Sequence, residues 1–250
     1  MRLKPLLFFL FFSLYGFSQS EFQIKNLKKK VVVPFKFINN LIFIPVKING
    51  EELTLLLDTG VEQTLIFSLD DKDEVKLFDV EKLKLKGLGG KDAIDSYKSS
   101  KNKLEINDFV DYNHEIYIVL DQEFNFSSHV GIPVNGIIGY NFFKNHIVEI
   151  DYDRKKIVVY DQKHNKIKSK LRKKFNKDSI SIEEKKPYCI SNIKTGGLTI
   201  PSKLLVDIGN SDALWIFLNK VNQIKLPEKS IRDYLGRGFS GNVYGKRARI

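Results

Sequence analysis

The sequence predicts a mainly β protein built from two copies of one lobe, the second copy incomplete. Three observations carry this. Short apolar runs bounded by turn formers recur along the chain, as in all-β domains. An acid-x-glycine motif at Asp58-Thr59-Gly60 returns at Asp207-Ile208-Gly209. The two copies also keep one register: 29 positions separate Asp58 from Gly87 and, again, Asp207 from Gly236, while Leu65 matches Leu214, Ile66 matches Trp215 and Gly89 matches Gly238. Self-similarity at a fixed offset is the mark of a duplicated structural unit.

Composition sets the bounds. At 250 residues and 42% hydrophobic, the chain can bury a real core and is not a disordered segment. Lys and Arg exceed Asp and Glu by 41 to 30, but much of the surplus falls between Asp161 and Lys177, so it does not describe the whole surface. The single Cys189 excludes an internal disulfide framework and reads as a buried strand residue. His114, His129, His146 and His164 have no metal-ligand spacing, so neither a metal nor another cofactor is expected. Gly87-Leu88-Gly89-Gly90 lacks the Gly-Lys-Ser/Thr that completes a phosphate loop, and no serine sits in a nucleophile elbow.

In chain order, residues 1–20 read as an export signal. Arg2 and Lys4 precede the uninterrupted apolar run Leu6 to Phe12, and Gly16 and Ser18 supply small residues near the end. An exported chain is the expectation, in the periplasm, the cell envelope or the medium. Residues 31–160 form the first lobe. Its β pattern opens at Val31-Val32-Val33 and Ile42 to Ile48, and Asn49-Gly50 then predicts a tight hairpin because both residues tolerate positive φ. The returning strand, Leu53 to Leu57, ends on Asp58, where a carboxylate beside a buried strand needs a hydrogen-bonding network or a chemical task. Further runs follow at Leu65-Ile66-Phe67, Lys82 to Lys86, Leu104-Glu105-Ile106 and Ile116 to Leu120, with Gly87 to Gly90 as a glycine-rich hairpin tip. Gly136-Ile137-Ile138-Gly139 sets two apolar residues between glycines, and Ile147 to Tyr152 with Lys156 to Tyr160 closes the lobe as a hairpin.

Residues 161–185 form a basic connector, a solvated segment whose other reading is contact with an anionic membrane surface. It has no interleaved aromatics, so no nucleic-acid partner is expected. Residues 186–250 are the second copy. In the first, 81 positions separate Asp58 from Gly139, whereas 43 separate Asp207 from Ile250. The second lobe is therefore expected to lack a counterpart of Gly136 to Tyr160, to leave the strands near Leu204 to Val206 and Leu214 to Phe217 partly uncovered, and to be prone to self-association.

Taken together, Asp58-Thr59-Gly60, the glycine-rich tips and Ile137-Ile138-Gly139 resemble the aspartic peptidases, in particular bacterial, exported, retropepsin-like members with two lobes in one chain. The resemblance implies a pepsin/retropepsin-like fold in which each lobe gives one aspartate to a shared site. It implicates Asp58 and Asp207 as the catalytic pair, with Thr59, Gly60 and Gly209 in support. Gly87, Leu88, Gly89 and Gly90, with Gly236 and Gly238, would be flap tips over a peptide or protein substrate. Two adjacent carboxylates cannot both ionise cheaply, so they hold one proton between them. One member can then take a proton from water while the other donates to the scissile carbonyl. Asp58 is expected as the base.

This chain departs from the family pattern where Ile208 replaces a hydroxyl residue, which removes half of a cross-lobe clasp, and where Val61-Glu62 replaces small residues. Two functions fit the sequence. One is an exported aspartic endopeptidase using an activated water; the other is a non-catalytic, vestigial peptide-binding relative.

Overall fold

The computed structural model describes residues 21–67, 75–85, 93–119, 126–161, 163, 169, 171, 173–195, 197–217, 227–238 and 241–248. The expected export signal, the Gly87 to Gly90 tip and part of the basic stretch of the connector lie outside these residues.

The first lobe begins with β1 (Gln23–Ile24), β2 (Lys30–Pro34) and β3 (Lys36–Ile38), followed by the hairpin β4 (Leu41–Ile48) and β5 (Glu51–Leu57). At the hairpin turn Asn49 has φ 52° and Gly50 φ 103°, as a two-residue turn with both positions at positive φ requires. Next come β6 (Thr64–Ile66), β7 (Glu81–Leu85), β8 (Ile94–Ile106), β9 (Phe109–Val119), the short helix α1 (Phe126–Val130), β10 (Gly136–Ile138), α2 (Tyr140–Phe143), β11 (His146–Asp151) and β12 (Lys156–Asp161). The hydrogen-bonded order runs β9-β6-β10-β5-β4-β8, and a β8–β9 pairing closes it into a small barrel. A closed sheet has no open edges within the ring. A separate sheet, ordered β11-β12-β2, lies beside it.

The strand β10 is the insert that holds the barrel near Asp58. It runs parallel to β5, with Ile137 opposite Leu56, and antiparallel to β6, with Ile137 opposite Leu65. Its flanking glycines are there for space. A Cβ at Gly136 would sit 2.1 Å from the Leu65 carbonyl oxygen, and one at Gly139 would sit 2.1 Å from that of Val61.

Leu41 to Ile44 of β4 and Leu55 to Leu57 of β5 are buried on both faces, which is why they read as unbroken apolar runs rather than alternating ones. Leu55 and Leu57 join the larger core with Ile42, Ile44, Ile138 and Phe142. Leu56 faces the other way, into a second cluster with Phe43, Val134 and Ile137. The polar stretch at the start of β8 was not foreseen as strand. It is held by polar contacts: Ser99 and Asn102 are buried, with the Ser99 hydroxyl donating to the Phe78 carbonyl at 2.7 Å and Asn102 Nδ2 donating to the Ser99 hydroxyl oxygen at 3.0 Å.

The second lobe contains β13 (Ser181–Glu183), β14 (Lys186–Thr195) and β15 (Leu198–Leu205) in one three-stranded sheet, and β16 (Ser230–Gly238) with β17 (Gly241–Ala248) as a separate hairpin. Among the described residues of this lobe, Ile200 alone is a buried hydrophobic. Two expectations need correction. Leu214 to Phe217 forms no strand, although its first-lobe counterpart contains β6; that strand is zipped between β9 and β10, and no such neighbours flank Leu214 among the described residues. Cys189 is only half-buried, on a β14 that pairs with β13 and β15.

Candidate active site

Asp58 follows directly from β5, and its backbone N–H donates to the Ile138 carbonyl at 3.0 Å. The chain then turns so that the Gly60 N–H donates to Asp58 Oδ1 at 2.6 Å. The second copy repeats this turn, with the Gly209 N–H donating to Asp207 Oδ1 at 2.9 Å. The two turns face each other across the lobe boundary. A Cβ at Gly60 would lie 3.1 Å from both Asp207 Cγ and Asp58 Oδ1, and a Cβ at Gly209 would lie 2.2 Å from Asp58 Cγ. Both glycines exist so that two carboxylates can share one space. The structure thus brings together Asp58, Asp207, Gly60 and Gly209.

Thr59 ties the lobes. Its hydroxyl donates to the Val206 carbonyl at 2.5 Å and accepts the Ile208 N–H at 3.1 Å. The reciprocal half of this clasp is absent, since Ile208 has no hydroxyl. Its side chain instead packs against the large first-lobe core. The departure therefore exchanges a hydrogen bond for apolar contact across the same boundary. Further bonds cross that boundary: Asn40 Nδ2 donates to the Ser211 carbonyl at 3.1 Å, and Lys185 forms an ion pair with Glu62. Glu62, which looked anomalous in sequence, has an inter-lobe partner.

Asp58 is 8% exposed, whereas Asp207 is half-buried. Burial, then the charge of Asp207 beside it and the hydrogen bond between the two carboxyls, pushes the Asp58 carboxyl up to about 7, against the opposing pull of the Gly60 N–H and the Lys186 ammonium. Asp58, expected as the base, thus sits in a setting that holds its carboxyl above the ordinary carboxylate range, as a pair sharing one proton requires.

The glycines expected at flap tips are not all placed. Gly87, Leu88, Gly89 and Gly90 lie outside the described residues, though β7 and β8 on either side pair as a hairpin, with Leu85 opposite Ile94. Gly236 and Gly238 sit on β16, where Gly236 adopts φ 153° at a bulge and Gly238 pairs with Gly241 next to the turn. That hairpin is tethered to the loop after Asp207. Arg247 on β17 pairs with Asp212 and, at 2.6 Å, with Asp233, while Trp215 Nε1 donates to Asp212 at 2.8 Å. Trp215 is itself partly exposed. Lys186, Arg247 and the Val206 carbonyl were not identified from sequence, since only folding brings them beside the paired loops.

A two-lobed, mainly β fold with an aspartate from each lobe in one hydrogen-bonded space defines the aspartic peptidase class. Residues 44–142 match the family described as "Aspartyl protease". Among solved structures, it is similar to a retropepsin-like aspartic protease from Rickettsia conorii, at 12% identity and a TM-score of 0.37 over 57% of this chain and 93% of that one. It is also similar to the EIAV protease in complex with the inhibitor HBY-793, at 17% identity and a TM-score of 0.28 over 41% of this chain and 84% of that one. No curated protein matches its sequence.

Proposed function

We propose that the protein is an exported aspartic endopeptidase that hydrolyses peptide bonds with Asp58, Asp207 and a water held between them. The observation that carries the reading is the approach of the two carboxylates through mirrored Asp-x-Gly turns. In this mechanism the pair holds one proton. Asp58 donates it to the scissile carbonyl oxygen as the other carboxylate takes a proton from the attacking water, which gives a tetrahedral diol. Proton return to the amine then lets the C–N bond break. The Gly60 and Gly209 N–H groups fix the carboxylate orientations, so little reorganisation is needed during the step.

The second reading, a non-catalytic peptide-binding relative, is favoured by the halved clasp at Ile208. Incubation with a peptide library from acid to neutral pH separates the two. Cleavage by the wild type that disappears in Asp58→Asn and in Asp207→Asn supports the peptidase, and binding without cleavage supports the relative.

Export rests on the pattern of residues 1–20, and a mature N-terminus near Ser20 in secreted material would test it. Self-association is supported by the uncovered apolar residues of the second lobe, such as Ile190 at 68% and Ile231 at 66% exposure. The basic connector is proposed to touch anionic membrane surfaces, which a vesicle-binding assay at varied salt would test.

A further inference from the structure

Six positions beyond Asp58, Thr64 opens β6 and is fully buried. Its Oγ1 lies 2.7 Å from Nε2 of His114 on β9, and His114 Nδ1 lies 2.8 Å from Asp111 Oδ2. His114 has no exposed surface and Asp111 has 1%. The Asn113 N–H donates to Asp111 Oδ1 at 2.9 Å, Asn102 Nδ2 donates to the His114 carbonyl at 3.2 Å, and the Phe22 ring lies 5.3 Å from the imidazole. A carboxylate can only accept, so Nδ1 carries the imidazole hydrogen. In the neutral imidazole Nε2 then offers a lone pair, to which the Thr64 hydroxyl donates.

Three buried polar side chains are costly where an apolar trio would pack, so an arrangement this fully satisfied has to be explained. It plays no part in the acid-pair chemistry described above. Its place in the chain supplies the reason. The loop from Asp58 to Gln63 is fastened at its entrance by the Asp58 N–H to the Ile138 carbonyl, and in its middle by the Tyr140 N–H to the Val61 carbonyl, each at 3.0 Å. Both fasteners come from the β10–α2 side. At the exit, Thr64 is held from the opposite side, by its pairing with Ile116 on β9 and by the side-chain bond to His114. That bond has a direction, which sets the Thr64 rotamer and hence where the loop leaves the barrel.

We propose that His114 is a positioning residue for the acid pair: with its tautomer held by Asp111, it fixes Thr64 and so the loop that carries Asp58 and Gly60 against Asp207. The proposal rests on the peptidase reading for its kinetic consequence but not for its structural one. A loop displaced by a fraction of an ångström loses catalytic alignment, and a shift of about 1 Å can cost on the order of a hundredfold.

The test compares Thr64→Val, which removes the donor at nearly constant volume, with Thr64→Ser, which keeps it. In the peptidase assay Thr64→Val should lower kcat about tenfold with KM nearly unchanged, and Thr64→Ser should recover most of the loss. Two readouts need no turnover. Nitrogen-15 spectra should show His114 protonated on Nδ1 alone, and carbon-13 spectra should show the Asp58 carboxyl titrating lower in Thr64→Val than the value of about 7 that its buried setting gives it. Should Thr64→Val fail to fold, Asp111→Asn, which frees the other tautomer at constant volume, should move the Asp58 titration in the same direction. A wild type that cleaves nothing would sink the peptidase reading and leave the spectral test standing. An Nε2–H tautomer in the wild type, or an Asp58 titration unmoved in the folded variant, would overturn the positioning role.

Discussion

Leu57 and Val206 occupy matching places, each one residue ahead of an aspartate, yet Leu57 has no exposed surface and Val206 is 38% exposed. One step earlier Leu56 is 3% exposed and Leu205 36%. The strands differ in their company. β5 is flanked by β4 on one side and β10 on the other, whereas β15 pairs with β14 and, among the described residues, with no strand on its far edge. The Asp-x-Gly turn forms in both copies all the same, because its hydrogen bond spans two residues and needs no sheet around it. The lesson is that local chemistry positions both carboxylates, while lobe packing decides how deeply each is buried. Deeper burial in the first lobe is what holds the Asp58 carboxyl above the ordinary carboxylate range.

The strongest way to break this comparison is to remove one acid at a time. Asp58→Asn and Asp207→Asn should each reduce hydrolysis by at least about 10²–10⁴-fold, the scale of a lost general acid or base. A variant that retains activity would show that its acid is no part of the pair. Hydrogen exchange asks the same question of the scaffold. Amides at Leu55 to Leu57 should exchange only on global unfolding, and those at Leu204 to Val206 through far easier local opening. Equal protection of the two strands in a monomer would show that the second lobe is as well covered as the first.

The pH dependence of stability should carry the asymmetry in burial. Since the folded Asp58 binds its proton more tightly than the unfolded chain does, its contribution is fully present below the unfolded value of 3.8 and is lost as pH rises to about 7. The loss is on the order of a few kcal/mol, and melts of Asp58→Asn should be flatter across this window than those of the wild type. Activity should also fall as pH rises through about 7, when Asp58 gives up the proton it donates.

Two smaller effects sharpen the picture. Gly209→Ala should cost about 1–3 kcal/mol, because the added methyl meets the Asp58 carboxyl at 2.2 Å, whereas Gly60→Ala meets nothing closer than 3.1 Å and should cost less. Thermal melts of the pair give the order directly. Ile208→Thr should supply a hydroxyl for the second half of the clasp but lose contact with the first-lobe core, a net change within about 1 kcal/mol by thermal melt.

Much of this was legible in the residues. Asn49-Gly50 announced its hairpin, the apolar runs announced strands buried on both faces, and the repeated acid-x-glycine motif pointed to both carboxylates. The beginning of β8 was not legible, because Ser99 and Asn102 look like loop residues until their buried hydrogen-bond partners are in place. Leu214 to Phe217 misled in the opposite sense, since a β-like run becomes a strand only where neighbours offer it an edge. His114 was weighed only as a metal ligand, although its spacing from Asp111 was visible; Thr64, fifty residues away, completes the arrangement.

By itself, then, the sequence determined what depends on near neighbours and on pattern: the turns, the two-sided strands and the recurrence of the Asp-x-Gly turn. The tertiary structure decided what depends on distance and burial. It set Ile208 against the opposite lobe's core and Lys186 near Asp58, made His114 the partner of Thr64, and raised the proton affinity of Asp58. A carboxyl's proton affinity is set by the solvent it has lost and the charges folded against it, and neither is written in the residues beside it in the chain.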